Sequence, residues 1–162
     1  MSALFLAELI AQTSLPKGAF NLVTGGGRVV GDALVTSDKV KMITFTGSPA
    51  VGIGIRNKAG LKRVALELGS NAGLIIDRNT NMDEIVAKCV VGAFSNQGQV
   101  CISIQRIYVL AEVAESFISK FIAATKQLKV GNPLKADTDI AAMIHIDEQL
   151  RAQRWVEELK MI

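Results

Sequence analysis

The sequence predicts an α/β protein with parallel strand pairing, and three observations support that class. Short apolar segments alternate along the chain with longer amphipathic segments, as they do in strand-helix-strand units. Two glycine-rich turns each join a predicted strand to a predicted helix. The 162 residues are 49% hydrophobic and 20% charged, a composition that supports a hydrophobic core and excludes a disordered chain.

Turn residues set the limits of the predicted elements in the first half of the chain. These elements are a helix over 3–13, a strand over 20–23, a short helix over 28–34, a strand over 42–45, a helix over 49–59, and strands over 64–68 and 74–76. The first helix ends before Leu15-Pro16, because the residue before a proline avoids the helical conformation. Pro49 suits a first helical turn, where its missing N–H is not needed, and Gly60 suits a helix end.

Apolar residues that repeat at helical spacing predict most of the elements in the second half of the chain. Apolar residues four positions apart predict a helix over 82–94, capped by Asn79 or Asn81. The remaining predicted elements are a strand over 104–110, a helix that contains Phe117, a loop over 134–144 and a helix over 146–160.

Composition excludes several classes of function. Two cysteines exclude a disulfide scaffold, and one histidine excludes a metal site with several histidine ligands. A net charge of +3 and 5% aromatic residues do not favour nucleic-acid binding. No apolar run approaches the roughly 18 residues of a membrane span, and Glu8 interrupts the apolar start of the chain. We therefore expect a cytoplasmic protein without a membrane anchor. The mean hydropathy of +0.33 predicts apolar surface that contacts a partner or a further part of a longer chain.

Both glycine-rich turns are candidate anion sites. The segment 25–31 follows a predicted strand and opens a helix, where free backbone N–H groups bind phosphates well. The turn at 47–52 has the same context, and the Ser48 hydroxyl there suits either a helix cap or a phosphate contact. This turn is not a P-loop, because Ile53-Gly54 stands where Lys-Ser/Thr is needed. An ordinary turn and an ordinary cap remain the alternatives.

Two other residues are candidate catalytic groups. Glu67 lies in an otherwise apolar predicted strand, where burial would suit its carboxyl to general-base chemistry; the alternative is a solvent-facing residue at the strand end. Cys101 follows the polar, glycine-containing segment 96–100, so its thiol is a candidate nucleophile; the alternative is a small buried apolar residue. Cys89 is expected in the core, and His145 at the surface or at a helix cap.

Five segments that occur in a fixed order establish a family resemblance. They are Leu15-Pro16-Lys17-Gly18 with Asn21-Leu22-Val23-Thr24-Gly25, Ile43-Thr44-Phe45-Thr46-Gly47-Ser48 with Val51-Gly52, Leu66-Glu67-Leu68-Gly69, Phe94-Ser95-Asn96-Gln97-Gly98-Gln99-Val100-Cys101, and Leu128-Lys129-Val130-Gly131-Asn132-Pro133. Through them the chain resembles the aldehyde dehydrogenase superfamily over nearly its whole length. The Glu-Leu-Gly and Asn-Gln-Gly-Gln-x-Cys motifs are the most specific.

The resemblance implies an enzyme that oxidises an aldehyde to a carboxylic acid with NAD or NADP. It makes Cys101 the nucleophile that attacks the aldehyde carbon, and the Cys101 backbone N–H a donor to the resulting oxyanion. It makes Glu67 the general base for hydrolysis of the thioester. It implies no metal ion. The cofactor contacts that it implies are Gly47 and Ser48 at the pyrophosphate, Val51 and Gly52 near the adenosine, Gly27 and Gly31 along the same groove, and Leu68 beside the nicotinamide.

The resemblance also implies two domain parts. Residues 1–76 correspond to the later part of an NAD(P)-binding domain, with a partial Rossmann-like parallel sheet and flanking helices. Residues 77–162 correspond to the start of a second α/β domain that bears the catalytic cysteine. Family members are longer, so we expect this chain to lack part of the cofactor site and the elements through which full-length members form homo-oligomers. The oligomeric state of the chain itself stays open.

Two alternative functions stay open beside the leading one. One is a non-catalytic remnant that binds a dinucleotide weakly. The other is an acylating relative that passes the acyl group to coenzyme A, although such members generally lack the glutamate that Glu67 matches. Within the family, Ser70-Asn71 resembles the subgroup that acts on small hydroxy- or phospho-aldehydes.

Overall fold

The computed structural model describes residues 2–161, which form two compact units that divide between Gly69 and Ser70. The helices are α1 (Ser2–Ala11), α2 (Asp32–Thr36), α3 (Pro49–Lys58), α4 (Met82–Phe94), α5 (Ala111–Thr125) and α6 (Ile146–Leu159). The strands are β1 (Met42–Thr46), β2 (Arg63–Glu67), β3 (Ala72–Ile76) and β4 (Ile104–Val109). Both strand pairs are parallel, so the predicted α/β class is confirmed.

In the first unit, β1 and β2 pair in parallel and α3 connects them. Thr46 is opposite Glu67, so the two strands end at the same edge. Ser48 is the N-cap of α3, and Pro49 occupies its first turn as the sequence predicts. Gly60 follows the helix with a φ of +61°, a left-handed conformation that glycine adopts without steric cost.

The strand predicted over 20–23 is absent, so that prediction is wrong. These residues are exposed, and the described residues provide no strand beside them. Instead, Nδ2 of Asn21 donates to the carbonyl of Gly18 at 2.8 Å, and Gly18 has a φ of +86°. This local turn replaces the strand, because an extended segment without a neighbour cannot form a hydrogen-bonded ladder.

The second unit has one contiguous core against the β3–β4 sheet. Leu74 is opposite Ile107 in this parallel pair. The fully or nearly fully buried side chains of the core are Ile76, Val86, Cys89 and Phe117. The Asn81 side-chain oxygen accepts from the backbone N–H of Glu84 at 3.4 Å and caps α4. The helix predicted over 82–94 is therefore confirmed, with Asn81 as its cap.

Strand β3 belongs to the second unit. The boundary predicted from the sequence follows residue 76, whereas the compact units divide between Gly69 and Ser70. The two positions differ because the hydrogen-bonding partner of β3 is β4, which lies later in the chain. The correspondence of the two parts to domains of longer proteins stays a prediction.

Helices α1 and α6 both expose large apolar side chains. Leu9 in α1 is 62% exposed, and Leu159 in α6 is 71% exposed. The apolar surface that the mean hydropathy predicts is therefore present. No helix within residues 2–161 combines the length and the apolar character that crossing a membrane requires.

Candidate active site

The turn between β1 and α3 is closely packed. The backbone N–H of Gly47 donates to the carbonyl of Glu67 at 3.0 Å, which joins the turn to the end of β2. A side chain at Gly47 would collide with the ring of Phe45. The Ser48 hydroxyl oxygen accepts from the backbone N–H of Val51 at 3.4 Å. The first turn of α3 therefore begins at a fixed point beside the carboxyl ends of two parallel strands, where α/β proteins bind their ligands.

A second close approach lies at Gly52 in α3. Gly52 is buried, and a Cβ at this position would lie 2.6 Å from Cδ2 of Leu68. Because carbon atoms do not approach that closely, glycine is what allows α3 to pack against the residue that follows β2. The structure thus places two of the predicted cofactor residues next to each other.

A cleft of about 590 Å³ lies beside α3 in the first unit. The short helix predicted over 28–34 is a π-helical turn over Gly27–Gly31 that continues into α2, and it lines one side of the cleft. Val51 lines it from α3, so three predicted cofactor residues meet there. The other lining residues are Arg28, Asp32, Val35, Phe45, Gly54, Ile55 and Lys58. Gly47, Ser48, Gly52 and Leu68 do not line this cleft.

Glu67 is exposed at the end of β2. It forms no ion pair with any of the described residues. The strand therefore does not bury this carboxylate within its unit, which is the solvent-facing arrangement that the sequence left open. The catalytic role of Glu67 stays a prediction.

The segment before Cys101 is a tight loop with left-handed backbone. The φ angles of Asn96, Gln97 and Gly98 are +50°, +58° and +76°. Non-glycine residues in this region cost about 1–3 kcal/mol each, and they persist where surrounding contacts impose them. The Gln99 backbone N–H donates to the Asn96 carbonyl at 2.9 Å, and Nδ2 of Asn96 donates to the Gln99 carbonyl at 3.0 Å. Such strained backbone concentrates at functional sites.

The two cysteines occupy opposite environments. Cys101 is exposed, whereas Cys89 is fully buried in the core. Burial raises the pKa of the Cys89 thiol, which keeps it protonated and unreactive. The expectation that Cys89 lies in the core is confirmed. The thiol of Cys101 is reachable from solvent, and its nucleophilic role stays a prediction.

Arg106 is not among the predicted site residues, although it connects two segments near Cys101. Its guanidinium donates to the carbonyl of Asn71 at 3.3 Å and to the hydroxyl of Tyr108 at 2.9 Å. It thus joins the strand after Cys101 to the residue just before β3. The sequence signal that could have found Arg106 is a charged residue within an apolar strand, which is the signal that points to Glu67.

His145 and the acidic residues do not form a metal centre. Nδ1 of His145 accepts from the backbone N–H of Asp147 at 3.3 Å and caps α6, as one of its predicted roles requires. Within residues 2–161, no group of three or more His, Cys, Asp or Glu side chains is arranged to hold a metal ion.

Comparison with known proteins identifies the family to which these motifs belong. The model of the aldehyde dehydrogenase family matches residues 1–161. This chain belongs to the aldehyde dehydrogenase family. The 3-sulfolactaldehyde dehydrogenase of Priestia aryabhattai is 44% identical over 156 residues, which cover 96% of this chain and 33% of that protein.

Two solved aldehyde dehydrogenase structures have the same fold. The NADP complex of glyceraldehyde-3-phosphate dehydrogenase from Methanocaldococcus jannaschii superimposes with a TM-score of 0.89 at 39% identity, over 96% of this chain and 34% of that one. The NAD-dependent aldehyde dehydrogenase of Sinorhizobium meliloti gives a TM-score of 0.93 at 32% identity, over 96% and 31%. The chain thus spans about a third of the length of these family members, and its partial Rossmann-like α/β fold is that of the family.

Proposed function

We propose that this chain supplies the nucleophile, the general base and part of the cofactor groove of an enzyme that oxidises an aldehyde to a carboxylic acid with NAD or NADP. The observation that carries the proposal is the placement of Cys101. Its family motif ends in an exposed thiol that follows a strained left-handed loop, while the other cysteine of the chain is buried. A structural cysteine needs neither the exposure nor the loop.

Two features of the first unit support a dinucleotide site. The cleft beside α3 has a volume of about 590 Å³, within the range of roughly 300–1,000 Å³ that is usual for ligand pockets. The turn at Gly47 and the N-cap at Ser48 place the N-terminus of α3, which carries a partial positive charge, beside the ends of β1 and β2, and this favours an anionic pyrophosphate there. Gly27, Gly31 and Val51 would hold the adenosine half. When bound, the nicotinamide supplies an acceptor for the hydride that oxidation releases.

Cys101 carries the covalent chemistry in this proposal. Its thiolate adds to the aldehyde carbon, and the carbonyl oxygen becomes an oxyanion. The backbone N–H of Cys101 donates to no backbone carbonyl of the described residues, so it is available to stabilise that oxyanion. Loss of hydride from the adduct leaves the acyl group on the sulfur as a thioester.

Glu67 completes the reaction as the general base. Its exposed carboxylate takes a proton from water, and the hydroxide attacks the thioester carbonyl. The carbon–sulfur bond then breaks, the carboxylic acid leaves, and Cys101 is released as the thiolate. The Glu-Leu-Gly motif supports this role over transfer to coenzyme A.

The substrate class we propose is a small 2-hydroxyaldehyde. The Priestia relative is named for 3-sulfolactaldehyde and the Methanocaldococcus structure for glyceraldehyde-3-phosphate. Both compounds have three carbons, a hydroxyl beside the aldehyde and an anionic group on the third carbon. Ser70-Asn71, which follows Gly69, supports the same class. Turnover of these two aldehydes, compared with propanal as the unsubstituted control, tests it.

Site-resolved alkylation tests the assembled site. Cys101 and Cys89 are alkylated with iodoacetamide and quantified by mass spectrometry, with and without NAD or NADP. The proposal expects rapid modification of Cys101, a rate that changes when a dinucleotide is added, and protection of Cys89 throughout. Equal reactivity of the two thiols without any dinucleotide effect would contradict it and favour a non-catalytic remnant.

The role of Glu67 has a separate test. A Glu67→Gln variant incubated with aldehyde and dinucleotide is expected to accumulate an acyl adduct on Cys101, because formation of the thioester continues while hydrolysis slows by about 10²-fold or more. The mass of the Cys101 peptide reports the adduct. Unchanged hydrolysis in this variant, or a strict requirement for coenzyme A in the parent, would refute the assignment.

A further inference from the structure

The loop over 129–140, which contains the Gly-Asn-Pro motif, is held by its own hydrogen bonds. The backbone N–H groups of Asp139 and Ile140 donate to the carbonyl of Lys129 at 2.9 and 3.0 Å. The Gly131 N–H donates to the carbonyl of Ile140 at 2.9 Å, and the Lys129 N–H to the carboxylate of Asp139 at 2.9 Å. These bonds fix the end of the loop, where Ala141 follows. The proposed chemistry gives this motif no role.

Gln97 connects this loop to the strained segment before Cys101. When the side-chain oxygen and nitrogen of Gln97 are exchanged, which is the assignment that gives both atoms a complementary partner, the oxygen accepts from the Ala141 backbone N–H at 2.9 Å. Its side-chain nitrogen donates to the Asn96 carbonyl at 3.1 Å. Gln97 is half-buried and has a φ of +58°. Gln97 therefore has a left-handed backbone, and its own side chain makes two hydrogen bonds that favour this conformation.

Packing between the end of α4 and the 129–140 loop leaves a gap. A cavity of about 130 Å³ lies among residues of α4, Ser95 and the loop, and Asp139 and Ile140 line it from the loop. A gap of this size removes contacts that would otherwise hold the two segments together. The bond from Gln97 to Ala141 is therefore a specific polar connection between the Cys101 loop and the end of the 129–140 loop, close in sequence to residues that line this cavity.

We propose that Gln97 is a positioning residue, whose side chain holds the Cys101 loop against the end of the 129–140 loop and so fixes the nucleophile. The proposal rests on the proposed function of Cys101. It gives the Gly-Asn-Pro loop a purpose, which is to present the Ala141 N–H as an anchor. The side chain of Gln99 provides a matched control, because it is exposed in the same motif and forms no hydrogen bond with any described residue.

Amide hydrogen exchange on the full chain tests the anchor. In Gln97→Ala the Ala141 amide is expected to exchange about three- to tenfold faster, as loss of one hydrogen bond predicts. Gln99→Ala leaves that rate unchanged. Gln97→Met keeps the length of the side chain but offers no acceptor oxygen, so exchange at Ala141 is expected to be as fast as in Gln97→Ala, whereas a general loss of packing would be smaller in the methionine variant. An Ala141 rate that is unchanged in Gln97→Ala, or equally raised in Gln99→Ala, overturns the proposal.

Alkylation of the same variants tests the consequence for Cys101. Gln97→Ala is expected to change the Cys101 rate by about threefold or more while Cys89 stays protected. A Cys89 that becomes reactive means that Gln97 stabilises the whole unit, which overturns the positioning role. The test is independent of turnover: a chain whose Cys101 ignores dinucleotides contradicts the proposed function, yet its Ala141 exchange still depends on Gln97 if the anchor exists.

Discussion

Helix α4 and the loop that follows it place the same chemical group in opposite settings. In α4 the backbone is regular, Asn81 caps its start and Cys89 is sealed in the core. In the loop the backbone is left-handed at Asn96 and Gln97, and the chain emerges with Cys101 exposed. The difference teaches that the solvent exposure of a thiol here is decided by the path of the backbone and not by residue type.

The largest expected effect is the ratio of the two alkylation rates. The Cys101 thiol is accessible, whereas Cys89 becomes accessible only when the core opens, which costs about 5 kcal/mol or more in a stable domain. Iodoacetamide should therefore modify Cys101 about a thousandfold faster or more. Quantitative mass spectrometry of the two peptides gives the ratio of the rates. A ratio near one would contradict the difference in exposure between Cys101 and Cys89.

The substitution Phe117→Ala should weaken the core and so reduce the difference in alkylation rate between Cys89 and Cys101. The Phe117 ring is 3% exposed and packs in the cluster that contains Cys89, so its truncation is expected to cost about 3–5 kcal/mol. Urea unfolding measures the loss, and the Cys89 alkylation rate should rise with it. Phe5→Ala is the control, because Phe5 is 56% exposed and its loss should leave Cys89 protected.

Asn81→Ala should weaken α4 by a smaller amount. Loss of an N-cap costs about 1 kcal/mol, because the N–H of Glu84 then lacks its protein acceptor. The shift in the urea midpoint measures the effect. Asn79→Ala is the matched control, since the sequence allows either asparagine as the cap. Equal effects of the two variants would refute the observed capping arrangement.

The smallest effect concerns the exposed pair of Glu84 and Lys88 on α4. Lys88 lies 2.6 Å from the Glu84 carboxylate and lowers the pKa of that carboxyl from its ordinary value of 4.5. The pair therefore stabilises the helix above that value, and the contribution is lost as the pH falls through the lowered pKa. Lys88→Met should reduce stability slightly at pH 7 and not at pH 2, as urea unfolding at both values would show. Equal effects at both pH values would contradict this.

Local signals predicted the regular elements well. Helix α4 and the β1–α3–β2 unit follow from caps, glycines and apolar spacing that act within a few residues. The segment over 20–23 has strand-like residues, but whether they form a strand depends on a neighbour that local sequence cannot supply. The Asn21 side chain forms a turn there instead.

The candidate site was predictable only in part. The motifs single out Cys101, which is exposed, and its catalytic role stays a prediction. The left-handed conformation of Gln97 was not predictable, because glutamine does not favour it and the contact that accompanies it comes from Ala141. The bond from Arg106 to the carbonyl of Asn71 likewise depends on strand pairing between distant segments. Residues that act through long-range contacts leave little local signal.

The Ser48 hydroxyl at the start of α3 has an acceptor oxygen and a donor hydrogen, and only the oxygen is used by the helix cap. Because the oxygen of Ser48 accepts from Val51, its hydrogen stays available to a second acceptor outside the helix. Aspartate stabilises a helix start about as well as serine, but it offers no donor and adds a negative charge. Ser48→Asp should consequently preserve the helix while repelling an anion at its start, and Ser48→Thr should preserve both properties. Helix stability alone does not distinguish these cap residues, so the effect of each substitution on dinucleotide binding tests the pyrophosphate contact that we propose for Ser48.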